Sequence, residues 1–213
     1  MKLKYFNILI ILLLLLTLSC EKKEVTTIDT DFQEIREQFF KYLSVNDLKS
    51  AEDLLKKQLL KWPNDASILD LMGNLRFTAG DIDSAMEYYN KAIKANPGYA
   101  HTYFDRGSLY LILEKYDLAL IDLKKAVEID PDYHDFQLAL GSAYLHIGNI
   151  NESIIHLSKA VKIDQNSIPA KFSLGMAYFG KGEDEKAGEL FFWIIKNHPN
   201  SDEAQLLKEL IGY

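Results

Sequence analysis

The sequence predicts an all-α fold, a solenoid of antiparallel helix pairs, on three observations. Residues 63–199 repeat every 34 positions, with Pro63, Pro97, Pro131 and Pro199 in one phase and Gln165 in the single vacant place. Gly73, Gly107, Gly141 and Gly175 keep the same period, as do Ala85, Ala119, Ser153 and Ala187, then Ala92, Ala126, Ala160 and Ile194. Within a period, apolar and small residues recur at spacings of three and four, as in Tyr103, Arg106, Gly107, Tyr110 and Leu111, which is helical spacing. A helical hairpin of this length cannot bury its apolar face alone, so successive copies must stack.

The elements follow in order. Residues 1–19 begin with Lys2 and Lys4 and continue into an apolar run over 8–18, interrupted by Thr17. That run is short for a spanning helix and fits a secretory signal peptide, with an uncleaved N-terminal anchor as the alternative. Cys20 follows directly and is the only cysteine, so the chain contains no partner for an internal disulfide. Residues 20–31 are polar and aperiodic and read as a tether, averaging about 18 Å in reach if flexible. Four repeats are expected at 66–99, 100–133, 134–167 and 168–200, each with its reversal at Gly80-Asp81, Glu114-Lys115, Gly148-Asn149 or Gly182-Glu183. Stepping one period back places a divergent repeat at 32–65: Tyr42, Ala51 and Pro63 keep phase, while Phe39 and Gln58 stand where glycine and alanine belong. A last helical pattern at 201–213, with Ser201 as its N-cap, would cover the open end of the stack.

A glycine in mid-helix costs about 1 kcal/mol against alanine. Keeping one in four successive copies therefore implies that a neighbouring helix approaches closely there. The phased alanines of the second helices carry the same implication.

On these residues the chain resembles the tetratricopeptide repeat (TPR) family. The copy from Ala66 supplies Leu69, Met72-Gly73, Ala85, Tyr89, Ala92 and Pro97, and the copy from Ile168 supplies Leu174-Gly175, Tyr178, Ala187, Phe191 and Pro199. Arg76 stands where the motif has tyrosine, and Arg106 where it has leucine. The resemblance spans 32–213 and implies a right-handed superhelix with a C-terminal capping helix. It also implies that the first helix of each pair lines a concave, partner-binding groove. Three slots would face that groove: Arg36, Asp70, Phe104, Leu138 and Phe172; then Phe40, Asn74, Ser108, Ser142 and Met176; then Leu43, Phe77, Leu111, Leu145 and Phe179. Of these, Phe104, Leu138, Phe172, Met176, Phe179, Asn74 and Phe77 are the candidate partner-binding residues, suited to the apolar face of a helix or an extended segment. Packing against neighbouring repeats is the other role open to them. Asn74 is the only lysine or asparagine among the fifteen, which disfavours capture of a partner's C-terminal carboxylate in this groove.

The stretch Leu16-Thr17-Leu18-Ser19-Cys20 resembles the lipobox of bacterial lipoproteins, departing from it in carrying Thr17 where leucine is usual. That resemblance implies acyl chains on Cys20 and an exported chain whose only membrane contact is its N-terminal lipid, facing the periplasm or the cell surface. Loss of residues 1–19 would leave 22 basic and 31 acidic side chains, a net charge of −9. Such a balance, with no basic run, argues against nucleic acid and against anionic headgroups.

No catalytic motif is present: there is no G-x-S-x-G and no phosphate-cradling glycine loop, and the five histidines form no recurrent pair at ligand spacing. The expectation is a non-enzymatic protein–protein adaptor of the bacterial cell envelope, needing no metal or cofactor. The alternative is an accessory subunit of an envelope enzyme, or a glycan-associated factor, that uses its convex face or edge.

Overall fold

The computed structural model describes residues 27–211. They form eleven helices and, among the described residues, no strand. The signal segment, Cys20 and most of the expected tether lie outside them. The chain divides into two compact units, with the boundary after Leu54.

The first unit contains α1 (Thr27–Ser44) and the start of α2 (Leu48–Lys61). α1 begins five residues earlier than the repeat frame places it, within the stretch read as a tether. No proline or glycine stands between Thr27 and Phe32 to stop a helix. Ile35, Phe39 and Ala51 are buried, so Phe39, the departure from glycine, is a core residue here. Asp47 caps α2 by accepting from Ser50 N at 3.1 Å, and this hydrogen bonding holds its carboxyl below the usual range.

The second unit is the solenoid. It pairs α3 (Ala66–Thr78) with α4 (Ile82–Ala95), α5 (Ala100–Ile112) with α6 (Tyr116–Ile129), α7 (His134–His146) with α8 (Ile150–Ile163), and α9 (Ile168–Lys181) with α10 (Asp184–Asn197). α11 (Asp202–Ile211) packs on α10, and Ser201 caps it by accepting from Ala204 N at 3.1 Å. Every second helix stops two residues before the proline slot, including α8 before Gln165. The reversals share one backbone device: Gly80, Gly148 and Gly182 have φ of 79°, 78° and 78°, and Glu114 takes the left-handed conformation at 57° in the same place.

Four core layers join a second helix to the helix that follows its pair. Tyr89 meets Leu109, Leu123 meets Leu140, Leu157 meets Leu174, and Ile194 meets Leu207. Each fully buried leucine contributes about 2 kcal/mol by leaving water. Within a pair, the mid-helix glycine receives the residue sixteen positions on: Tyr89 lies over Gly73, Leu123 over Gly107, Leu157 over Gly141 and Phe191 over Gly175. The close approach inferred from the sequence is therefore made by these large side chains.

Candidate protein-binding surface

In the second unit each first helix touches the next: α3 meets α5, α5 meets α7, and α7 meets α9. The seven candidate residues lie along this row but are unequally available. Phe104 packs into the layers of Leu123 and Phe136, with its ring 5.3 Å from that of Phe136. Leu138 packs on Leu157, Leu174 and Ala177. Phe172 packs on Ile194, Ala204 and Leu207, 6.2 Å from the Phe191 ring. All three are half-buried, so they serve inter-repeat packing as well as the surface. Met176 is half-buried too. The open positions are in the third slot, where Phe179 is 62 % exposed and Phe77 is 36 % exposed. Leu111 and Leu145, between them in the register, pack against the layers of Leu123 and Leu157.

Asn74 is engaged within the unit. Its Nδ2 donates to Asp105 Oδ2 at 2.8 Å, and its Oδ1 accepts from the Tyr89 hydroxyl at 2.6 Å, tying α3, α4 and α5 together. Burial, with the Asp105 and Asp70 carboxylates nearby, pushes the Tyr89 hydroxyl far above the ordinary tyrosine range, so it stays a donor. Arg106 grips Asp122 through two parallel bonds, Nε to Oδ2 at 2.7 Å and an Nη to Oδ1 at 2.8 Å, joining α5 to α6. Burial works against its charge, but the Asp122 hydrogen bonds and charge outweigh it and raise the Arg106 pKa.

The histidines are used in packing. His156 Nδ1 meets Gln137 Oε1 at 2.8 Å and its ring stacks on Tyr144, while burial lowers its pKa. His101 sits among Tyr99, Tyr133 and Phe136. His134 Nδ1 lies 2.7 Å from Asp135 Oδ1 on neighbouring residues at the start of α7.

A second apolar surface escaped the sequence reading. Ile121 on α6 and Ile155 on α8 are 64 % and 59 % exposed, and Leu118 and Phe192 are exposed as well. Ile121 and Ile155 occupy one repeat position, where the flanking copies have Glu87 and Glu189. Comparing copies at solvent positions, rather than only along the first helices, would have found them.

Two family models, both for the tetratricopeptide repeat, match the chain, one at residues 42–100 and 71–134 and the other at 110–171. No curated protein sequence matches it. Among solved structures, the chain is similar to MamA, with 25 % identity and a TM-score of 0.62 over 81 % of this chain and 95 % of that one. It is also similar to YrrB, described as a TPR protein with an unusual peptide-binding site, at 22 % identity and a TM-score of 0.63 over 91 % and 97 %. A thermophilic TPR protein of Thermus thermophilus aligns with a TM-score of 0.68 and 18 % identity over 85 % and 100 %. The matched repeats, their phase and the packing of their helices make this chain a member of the tetratricopeptide repeat family.

Proposed function

We propose that this protein is a non-enzymatic adaptor of the bacterial cell envelope, anchored by acyl chains on Cys20, that holds a segment of another protein against its row of first helices. The observation that carries the reading is the exposure of Phe179 and Phe77 on that row. Exposed aromatics in one register slot, on a row otherwise lined by half-buried apolar side chains, suit contact with a partner. Around them, the half-buried Phe104, Leu138, Phe172 and Met176 supply a firm apolar floor. The peptide-binding site for which YrrB is described supports the same use of such a scaffold. An apolar helix face or extended segment is the matching occupant.

Two measurements test the two halves of the proposal. Metabolic labelling with an alkyne fatty acid should mark the native chain and leave Cys20→Ser unmarked; labelling of both would overturn the anchor. Crosslinked capture of envelope proteins should give a client that Phe179→Glu loses while its helical content stays native. Phe172→Glu would be a poor choice, because Phe172 helps hold α11.

The exposure of Ile121 and Ile155 favours a second reading, an accessory subunit that grips its enzyme or glycan-associated partner through the second helices. A client retained by Phe179→Glu and lost by Ile121→Glu would select it.

A further inference from the structure

A cleft of about 530 Å³ opens where α8, α9 and α10 meet. The repeat has a comparable cleft three periods earlier, lined by Pro63, Asn64, Leu69 and Lys91 among others. Their counterparts in the later cleft are Gln165, Asn166, Lys171 and Trp193. Two of these four break the register, and a third brings a charge to a variable position. Gln165 fills the one vacant proline slot. Lys171 stands where the other copies have Leu69, Tyr103 and Gln137. Trp193 stands where they have Lys57, Lys91, Lys125 and Lys159. Gln165, Lys171 and Trp193 converge on one cavity, and Trp193 packs as well against the layer of Ile194, Ala204 and Leu207.

The chemistry of the lining is one-sided. The chain carries a net charge of −7, yet this cleft is bordered by two ammonium groups, Lys162 and Lys171, and by no carboxylate. Gln165, Asn166 and Ser158 add amide and hydroxyl donors. Lys171 Nζ sits 3.8 Å from the centroid of the Trp193 ring, which places the cation on the indole face. Among the described residues its ammonium makes no hydrogen bond or ion pair, and α9 contains no acidic residue. Asp164 acts on it from a distance, but Asp164 Oδ1 accepts from Asn166 N at 2.8 Å and is held in its own turn. In the earlier cleft, by contrast, Lys91 has Glu87 at 3.6 Å. Burial pushes the Lys171 ammonium below the ordinary lysine range, outweighing the opposite pull of the Asp164 carboxylate. Val161, Leu174 and the indole complete an apolar wall.

We infer that this cleft is a binding site for a carboxylate carried beside an apolar side chain, the chemistry of a polypeptide's C-terminal residue or of a free N-acyl amino acid. The carboxylate lies between the Lys171 and Lys162 ammonium groups, and the apolar group rests on Val161, Leu174 and Trp193. The volume suits one or two residues. The site is separate from the exposed face of the first helices, and either can fail without the other.

Trp193 reports on its own cavity. With Trp62→Phe it becomes the only tryptophan of the full chain. Its emission should respond saturably to N-acetylphenylalanine, and the primary amide of that compound should bind about tenfold more weakly or worse, having lost the charge-assisted bonds. Lys171→Met should weaken the acid about tenfold, and Lys162→Met, at an exposed position that leaves packing untouched, should weaken it in the same direction. A hexapeptide ending in phenylalanine, compared in its acid and amide forms, separates the sources. Tighter binding of the acid-ended peptide than of N-acetylphenylalanine identifies a polypeptide C-terminus, and equal or weaker binding identifies a free acid. Acid and amide binding alike, or an acid that still binds Lys162→Met and Lys171→Met as it binds the parent, would overturn the assignment.

Discussion

Gly141→Ala tests the packing logic of the repeat most sharply. A methyl carbon built at Gly141 would lie 2.6 Å from Leu157 Cγ, 2.9 Å from its Cδ2 and 3.0 Å from its backbone nitrogen. Carbon contacts settle at about 3.5–4.0 Å, so the two helices would have to separate by several tenths of an ångström. Leu157 is fully buried in the layer it shares with Leu174 and Ala177, and the blocking backbone atom has no rotamer to change. Overpacking of this kind costs about 3 kcal/mol, at the upper end of its usual range. Alanine's better helix propensity returns about 1 kcal/mol, leaving a net loss of about 2 kcal/mol. For a domain of this size that is a fall of about 4–8 °C in Tm. Gly188 is the control: it lies inside α10, and a methyl there meets nothing within 4 Å. Gly188→Ala should therefore raise stability by about 1 kcal/mol. Thermal and urea unfolding followed by helical circular dichroism would read both. A Gly141→Ala protein as stable as the parent, beside a stabilised Gly188→Ala, would refute the claim that helix approach holds these glycines in phase.

Other consequences are as direct. Glu114 holds the left-handed conformation that glycine holds in the neighbouring turns, so Glu114→Gly should stabilise by about 1 kcal/mol, measured by urea unfolding. Asp122 is 4 % exposed and pairs with Arg106, which is 18 % exposed. Asp122→Ala should cost about 3 kcal/mol by leaving the guanidinium only Asn90 Oδ1 as a side-chain hydrogen-bond partner, whereas replacing both Asp122 and Arg106 with leucine should cost far less, as a double-mutant cycle would show. Burial lowers the His156 pKa below its ordinary 6.5, while Glu152 raises it and Lys159 and Lys124 lower it further. As pH falls through 6.5, the unfolded chain takes up this proton before the folded one, so stability is lost from there down to the folded pKa and no further. His156→Gln should remove that part of the acid sensitivity in unfolding curves recorded between about pH 7.5 and 5.5.

The sequence made the repeats legible because stacking constrains the same few positions in every copy. Gly73, Gly107, Gly141 and Gly175 each stand opposite the residue sixteen positions on, and the period exposes them at once. Periodicity says which way a side chain points but not how much of it the next repeat covers. That is why Phe104, Leu138 and Phe172, which share one slot, are half-buried, while Phe179 in another stays open. Departures from the period were harder still to interpret. Arg106 is explained only when Asp122, sixteen residues on, is seen within its reach. Gln165, Lys171 and Trp193 gain a common meaning only when the fold brings them to one cleft. The early start of α1 at Thr27 was hidden because the polar stretch before Phe32 carries no apolar stripe to announce a helix.

The central claim, that a partner lies against the first helices, is tested most directly by photocrosslinking in living cells. A photoreactive phenylalanine analogue placed at Phe179, at Phe77 or at Ile121 samples the two exposed surfaces separately. One partner adduct shared by positions 179 and 77 and absent at 121 is expected. Adducts confined to position 121, with none at 179 or 77, would contradict it and move the binding surface to the second helices.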